Sequence, residues 1–190
     1  MNKKELHSKK RLYYGFPILL IGYKDENHGY NFTTISSSFT LADRMVIGIY
    51  KFGNAIKQIK LSRCFTVNVP GSDLMREIEI GGYNKNSGKD KFGLTPKLHY
   101  HPSDKIDAPI IENCALNIEC EAVDIVESAE FDYNIIIAKM KGRLIDESLY
   151  TDEGSFKLES LRPVFYFGDD SRRSYRYLND EMHDLGSFSK

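Results

Sequence analysis

The alternation that begins at Leu116 constrains this chain more than any other feature. Leu116, Ile118, Cys120 and Ala122 are apolar, and Asn117, Glu119 and Glu121 between them are polar. A period of two puts one apolar and one polar face on an extended strand. Tyr133 to Ile145 is a second long strand-like run. The two predict an antiparallel pair with one face on a core.

Shorter strands are predicted around this pair. Pro17 to Tyr23 (PILLIGY) ends in a charged turn from Lys24 to Gly29, and Tyr30 to Phe39 (YNFTTISSSF) resumes beyond it, as a hairpin would. Met45 to Tyr50, Cys64 to Val69, Pro163 to Gly168 and Ser174 to Leu178 read as further strands. Two helices interrupt them. One runs from about Ala55 to Leu61, with Asn54 as its cap and Ile56 and Ile59 on one face. Ser72 or Asp73 can cap the other, in which Leu74, Met75 and Ile78 share one face and Glu77 sits in the first turn. Many short strands with two helices predict a mostly β protein, a closed or nearly closed antiparallel barrel. An α/β sheet would need repeated strand–helix–strand crossovers, and only Met45 to Val69 offers one.

The 190 residues suit one domain, read as 13–190 behind a basic arm, 1–12, that holds Lys3, Lys4, Lys9, Lys10 and Arg11. The arm does not continue into the apolar stretch of a signal peptide. No segment approaches the roughly 20 apolar residues of a membrane helix. A net charge of −1 gives no basic face for nucleic acid. Cys64, Cys114 and Cys120 are odd in number and lack C-x-x-C spacing, and Cys64 and Cys120 sit in strand-like runs, so reduced, buried thiols are expected.

Three stretches could carry chemistry. Asn31, Thr33, Thr34, Ser36, Ser37 and Ser38 concentrate small polar groups in a strand-like run. Their hydroxyls and amides would suit the pyrimidine edge of a flavin, and a solvated edge strand is the alternative. Tyr50, Lys51, Phe52, Gly53 and Asn54 lead into a helix, whose N-terminus is an anion site by its free N–H groups; an ordinary corner is the alternative. Ser87 to Phe92 (SGKDKF), with Lys89 and Lys91 around Asp90, could clamp a phosphate or be a mobile polar loop. His99 and His101 would share one face of an extended segment, a weak start for a metal site. There is no G-x-S-x-G, no G-x-G-x-x-G and no Walker loop.

The order of several phrases resembles the flavin reductase-like and flavoredoxin family, which has the FMN-binding split β-barrel fold. The phrases are Asn31 to Ser36 (NFTTIS), Phe65 to Pro70 (FTVNVP), Ser87-Gly88 with Asp90 to Leu94 (DKFGL), Ala108 to Glu112 (APIIE) leading to Leu116 to Cys120 (LNIEC), and the closing Tyr175 to Lys190. Ala55 stands where many relatives have a threonine, and Ala42 to Met45 replaces their paired prolines.

The resemblance implies an antiparallel Greek-key-like split barrel and a homodimer with FMN near its interface. Thr34 and Ser36 to Ser38 would face the isoalloxazine ring, Tyr50 to Asn54 would contact the ribityl phosphate, and Lys91 would approach the cofactor. The implied activity is that of a cytoplasmic oxidoreductase. It would pass electrons from NADH or NADPH through FMN to a flavin or a redox-protein acceptor, with no side chain needed as general acid or base. The alternative is an FMN-binding electron-transfer protein without its own nicotinamide site.

Overall fold

The structure is a computed structural model that describes residues 3, 5, 11–83, 88–179, 181–185, 187 and 188. Most of the basic arm, Ser87 and the last two residues lie outside them. The predicted long pair is present. Strand β9 (Leu116–Glu127) and strand β10 (Tyr133–Ile145) pair antiparallel, and Ile136 and Ala138 of β10 join Ile118, Cys120 and Ala122 of β9 in one core.

Five more strands extend this pair into a seven-stranded sheet. They are β2 (Leu19–Asp25), β3 (Gly29–Ile35), β4 (Ser38–Leu41), β5 (Arg44–Tyr50) and β6 (Cys64–Val69). The order is β3-β2-β6-β9-β10-β5-β4, antiparallel throughout. Its edge strands, β3 and β4, are consecutive in the chain and joined by Ser36-Ser37, so the sheet must curl on itself. No ladder closes β3 onto β4 among the described residues; the barrel is split there. The run from Tyr30 to Phe39, expected as one strand, therefore breaks at Ser36-Ser37. The Ser37 carbonyl accepts from Gly48 N–H at 2.8 Å and pins this corner to β5.

The inner face of the curl holds Leu19, Ile21 and Tyr23 of β2, Ile47 and Ile49 of β5, and Phe65 and Val67 of β6. Helix α1 (Asn54–Ser62) adds Ala55, Ile56 and Ile59. The outer face of β2 and β3 is also covered. There Leu20 and Phe32 pack against Ile78 of α2 (Met75–Tyr83) and Phe92 of α3 (Lys91–Leu94). This double burial explains the unbroken apolar run of β2.

A small ladder of β7 (Tyr100–Pro102) and β8 (Pro109–Ile111) lies in a stretch where no strand was expected, because its prolines hide the pattern. Asn68 ties it to the sheet: its Oδ1 accepts from Ile111 N–H at 3.1 Å and from the Asn117 amide at 2.8 Å.

The third sheet joins the chain ends. It pairs β1 (Leu12–Pro17), β11 (Val164–Asp169) and β12 (Arg173–Tyr177), in the order β1-β11-β12. Pro17 thus closes β1 and does not open β2, and Leu12 belongs to a strand and not to the arm. Gly15, at φ 119°, and a register shift between Tyr14 and Phe16 break the period of two in β1.

Candidate functional site

One cleft runs between the end of β3, the start of α1, the end of α2, the Gly88 to Lys91 segment and the three-stranded sheet. It encloses about 1220 Å³ of empty space, its open mouth included. Asn31, Thr33, Thr34, Ser36, Ser37, Tyr50, Asn54 and Lys91 of the expected site residues line it. Ser38, Lys51 and Phe52 do not. Ser38 pairs with Ile47 in β4, the Lys51 ammonium turns toward Asp132 at 3.8 Å, and Phe52 is an exposed ring against Tyr50.

A buried carboxylate organises the deep end. Asp25, at the close of β2, is 1 % exposed. Its Oδ2 accepts from the Asn54 amide at 2.7 Å and from the Asn31 amide at 3.2 Å, and its Oδ1 accepts from Asn27 N–H at 2.9 Å. The expectation that Asn54 caps α1 is thereby corrected. Gly53 holds the cap position and has no side chain to bond the helix, and the Asn54 amide is drawn to Asp25 and the Tyr23 hydroxyl. The α1 N-terminus opens on the cleft with no acidic residue in its first turn. The second helix departs from expectation in the same way. A short 3-10 turn, Ser72–Leu74, precedes α2, and Gly71 holds its cap position with no side-chain bond.

Asn31 is buried and acts as a clamp. Its Oδ1 accepts from Phe32 N–H at 2.9 Å and Lys91 N–H at 3.3 Å, and its amide also donates to the Lys89 carbonyl at 2.9 Å. Lys91 is 4 % exposed and its Nζ donates to the Gly81 carbonyl at 2.9 Å. Gly81 to Tyr83 complete α2. Gly81 lets α2 lie against β3: a Cβ there would come within 2.3 Å of the Thr34 hydroxyl. That hydroxyl donates to the Ile78 carbonyl at 2.7 Å.

The opposite wall was not foreseen from sequence. Tyr13 of β1, Tyr166 of β11 and Tyr175 of β12 form a run of rings with centroids 4.9 Å and 5.8 Å apart. Arg11, Arg173 and Tyr133 complete it. Aromatic richness marked these segments as strands, but only the β1–β11 pairing brings the two ends of the chain to one wall. Burial raises the Tyr13 hydroxyl above its usual range and pushes Tyr175 up to about 12. Among the described lining residues, Arg11, Lys89, Lys91 and Arg173 face one carboxylate, Glu79. The cleft therefore suits an anionic ligand with a flat ring.

His99 and His101 lie elsewhere, with His101 Nδ1 3.1 Å from Glu112 Oε1. Among the described residues no group of three His, Cys, Asp or Glu could hold a metal ion. Among the described residues no helix is long and apolar enough to cross a membrane. Cys64, Cys114 and Cys120 are free, with Cys64 only half-buried.

The chain is 25% identical over 171 residues to an uncharacterized protein, YdfE, of Bacillus subtilis (strain 168), covering 83% of each. It is similar in structure to the flavoredoxin of Desulfovibrio vulgaris (Miyazaki F), with a TM-score of 0.85, 21% identity and full coverage of both chains. An FMN-binding protein from Thermus thermophilus, solved with bound 1-cyclohex-2-enone, matches at a TM-score of 0.75 and 15% identity over 97% of this chain and 98% of that one. These likenesses bear on the fold, a split barrel built mostly of antiparallel strands. The sequence pattern of the flavin reductase like domain matches residues 11–173, and the chain belongs to that family.

Proposed function

We propose that the cleft holds FMN and that the chain is an FMN-dependent oxidoreductase of the flavin reductase type. In this reading electrons pass from NADH or NADPH through FMN to a flavin or redox-protein acceptor. The observation that carries it is the meeting, in one cleft, of an open helix N-terminus, a Ser/Thr-rich strand end and a buried lysine, in a chain of this family. The names of two similar structures, a flavoredoxin and an FMN-binding protein, support the choice of cofactor.

The residues present fit that group. The first-turn N–H groups of α1 are offered to a phosphate without a competing side-chain cap. Thr33, Thr34, Ser36 and Ser37 supply hydroxyl and backbone groups for the polar edge of a ring. Lys91 would add positive charge to the cleft, and Tyr13, Tyr166 and Tyr175 would provide an aromatic wall. When bound, FMN supplies the hydride and electron transfer chemistry, and the protein supplies binding, orientation and restricted solvent access. Asp25 keeps Asn31 and Asn54 in place, and Asn31 in turn holds the Lys89 to Lys91 backbone.

The reading includes a homodimer and a cytoplasmic location; three thiols without a disulfide agree with the second. Anaerobic addition of NADH or NADPH to the FMN-loaded chain tests the activity. Bleaching of the flavin band supports the reductase. A band that stays, but bleaches with a reduced redox protein, favours the electron-transfer reading without a nicotinamide site.

A further inference from the structure

The turn between β2 and β3 reaches the cleft through a residue that does not line it. Glu26, Asn27 and His28 make this turn. Asp25 Oδ1 accepts from Asn27 N–H, so the carboxylate that holds Asn31 and Asn54 also shapes the turn. From there His28 Nε2 lies 2.6 Å from the Gly88 carbonyl oxygen. A carbonyl only accepts, so Nε2 carries the proton and donates it. The next carbonyl, that of Lys89, accepts from the Asn31 amide at 2.9 Å. Two successive peptide planes are thus held by side chains of one hairpin. In a trans peptide N–H points opposite to C=O, so the directions of the Lys89 and Asp90 N–H groups are set as well.

Gly88, Lys89 and Lys91 line the cleft. The far end of this segment is anchored by Asp90, whose side chain accepts from Gly93 N–H at 3.0 Å and starts α3. The Gly88 end is different. Its φ of 56° is in the left-handed region, and among the described residues no atom lies within 4 Å of where a Cβ would stand. Side-chain packing does not fix Gly88; the hydrogen bond from His28 does.

We infer that His28 is a positioning residue for FMN. It acts through the Gly88 carbonyl and holds the Gly88 to Lys91 wall in place before the ligand arrives. A wall already ordered costs less to immobilise on binding, so affinity rises without any contact from His28 to the ligand. The inference rests on the reading that FMN occupies this cleft, and it adds a residue outside the cleft on which that binding depends.

The test compares the full chain with His28→Phe, which keeps a ring and loses the donor, and His28→Gln, which restores an N–H donor on a flexible side chain. FMN affinity is read by fluorescence titration, and the hold on residues 88–91 by amide hydrogen exchange in the unloaded chain. His28→Phe is expected to bind FMN about fivefold more weakly and to exchange about fivefold faster in this segment, the size of effect one hydrogen bond gives. Its denaturant midpoint should match the parent's, because the turn is half-exposed. His28→Gln should restore affinity and exchange to within about twofold of the parent, a rescue that a loss of packing alone would not show. His28→Leu should match His28→Phe and guards against a ring that does not fit. Parent-like affinity or parent-like exchange in His28→Phe overturns the assignment, as does a His28→Gln chain as impaired as His28→Phe. A parent chain that binds no FMN overturns the function proposed above, and the exchange measurement still decides whether His28 holds the segment.

Discussion

The side-chain amide of Asn54 donates to the buried carboxylate of Asp25 at 2.7 Å. This contact joins the end of β2 to the first turn of α1 and frees the helix N-terminus from a side-chain cap. It also aligns α1 with Asn31, which uses the same carboxylate oxygen. Asp25→Ala would leave two buried or half-buried amides without that acceptor. Its expected cost is about 1–3 kcal/mol of stability, read as a lower denaturant midpoint, with a matching loss of FMN retention. Unchanged stability would show that the amides find other partners.

Gly81 and Gly82 provide a paired test of how α2 meets β3. A Cβ at Gly81 would press on the Thr34 hydroxyl at 2.3 Å and on the Phe32 ring at 2.9 Å, whereas at Gly82 the nearest atom lies 3.8 Å away. Gly81→Ala is expected to cost about 1–3 kcal/mol by overpacking, and Gly82→Ala to be far milder. Chemical denaturation of the two variants checks the difference.

Lys91 is buried yet reaches the cleft. Replacing Lys91 by an apolar chain of similar length removes the cost of burying a charge and also the donor to the Gly81 carbonyl, effects of opposite sign. Lys91→Met should therefore fold with a thermal midpoint close to that of the parent, yet bind FMN about tenfold more weakly or worse, because an anion loses a nearby cation. Fluorescence titration with FMN measures this. Unaltered FMN affinity would confine Lys91 to holding the Gly81 carbonyl.

Alkaline stability has a defined sign. Burial pushes the Cys120 thiol from its ordinary 9.0 up to about 12. The unfolded chain then releases this proton at lower pH than the folded one. The contribution is full below about pH 9 and is lost as pH rises toward about 12. Cys114 shifts the same way through burial. Cys120→Ala should be less stable at neutral pH, from the cavity it leaves, yet lose stability less steeply between pH 9 and 12. Denaturant midpoints across that range check it.

Much of the fold was legible because its strands are regular. The limits of β10 agree with the run read from Tyr133 to Ile145, and α1 lies within two residues of its expected ends. The misses have physical causes. Gly15 and a bulge break the alternation of β1, prolines mask β7 and β8, and the strand through Ser36-Ser37 turns where the sheet curls. Asn54 has the chemistry of a cap, but a carboxylate from another strand outcompetes the helix for it. Local sequence could mark the Ser/Thr strand end, Tyr50 and Lys91, since each lies in a distinctive short phrase. It could not reveal Asp25 or the tyrosine and arginine wall, which depend on contacts between distant segments.

The most direct test of the account is an FMN titration of the purified chain, followed by desalting and a visible spectrum. The account predicts retained flavin, with a band near about 450 nm and close to one FMN per chain. It also predicts that the Lys91→Met chain, at the same protein concentration, retains much less. Full removal of flavin from the parent chain on desalting, with no quenching of FMN fluorescence in the titration, would contradict it.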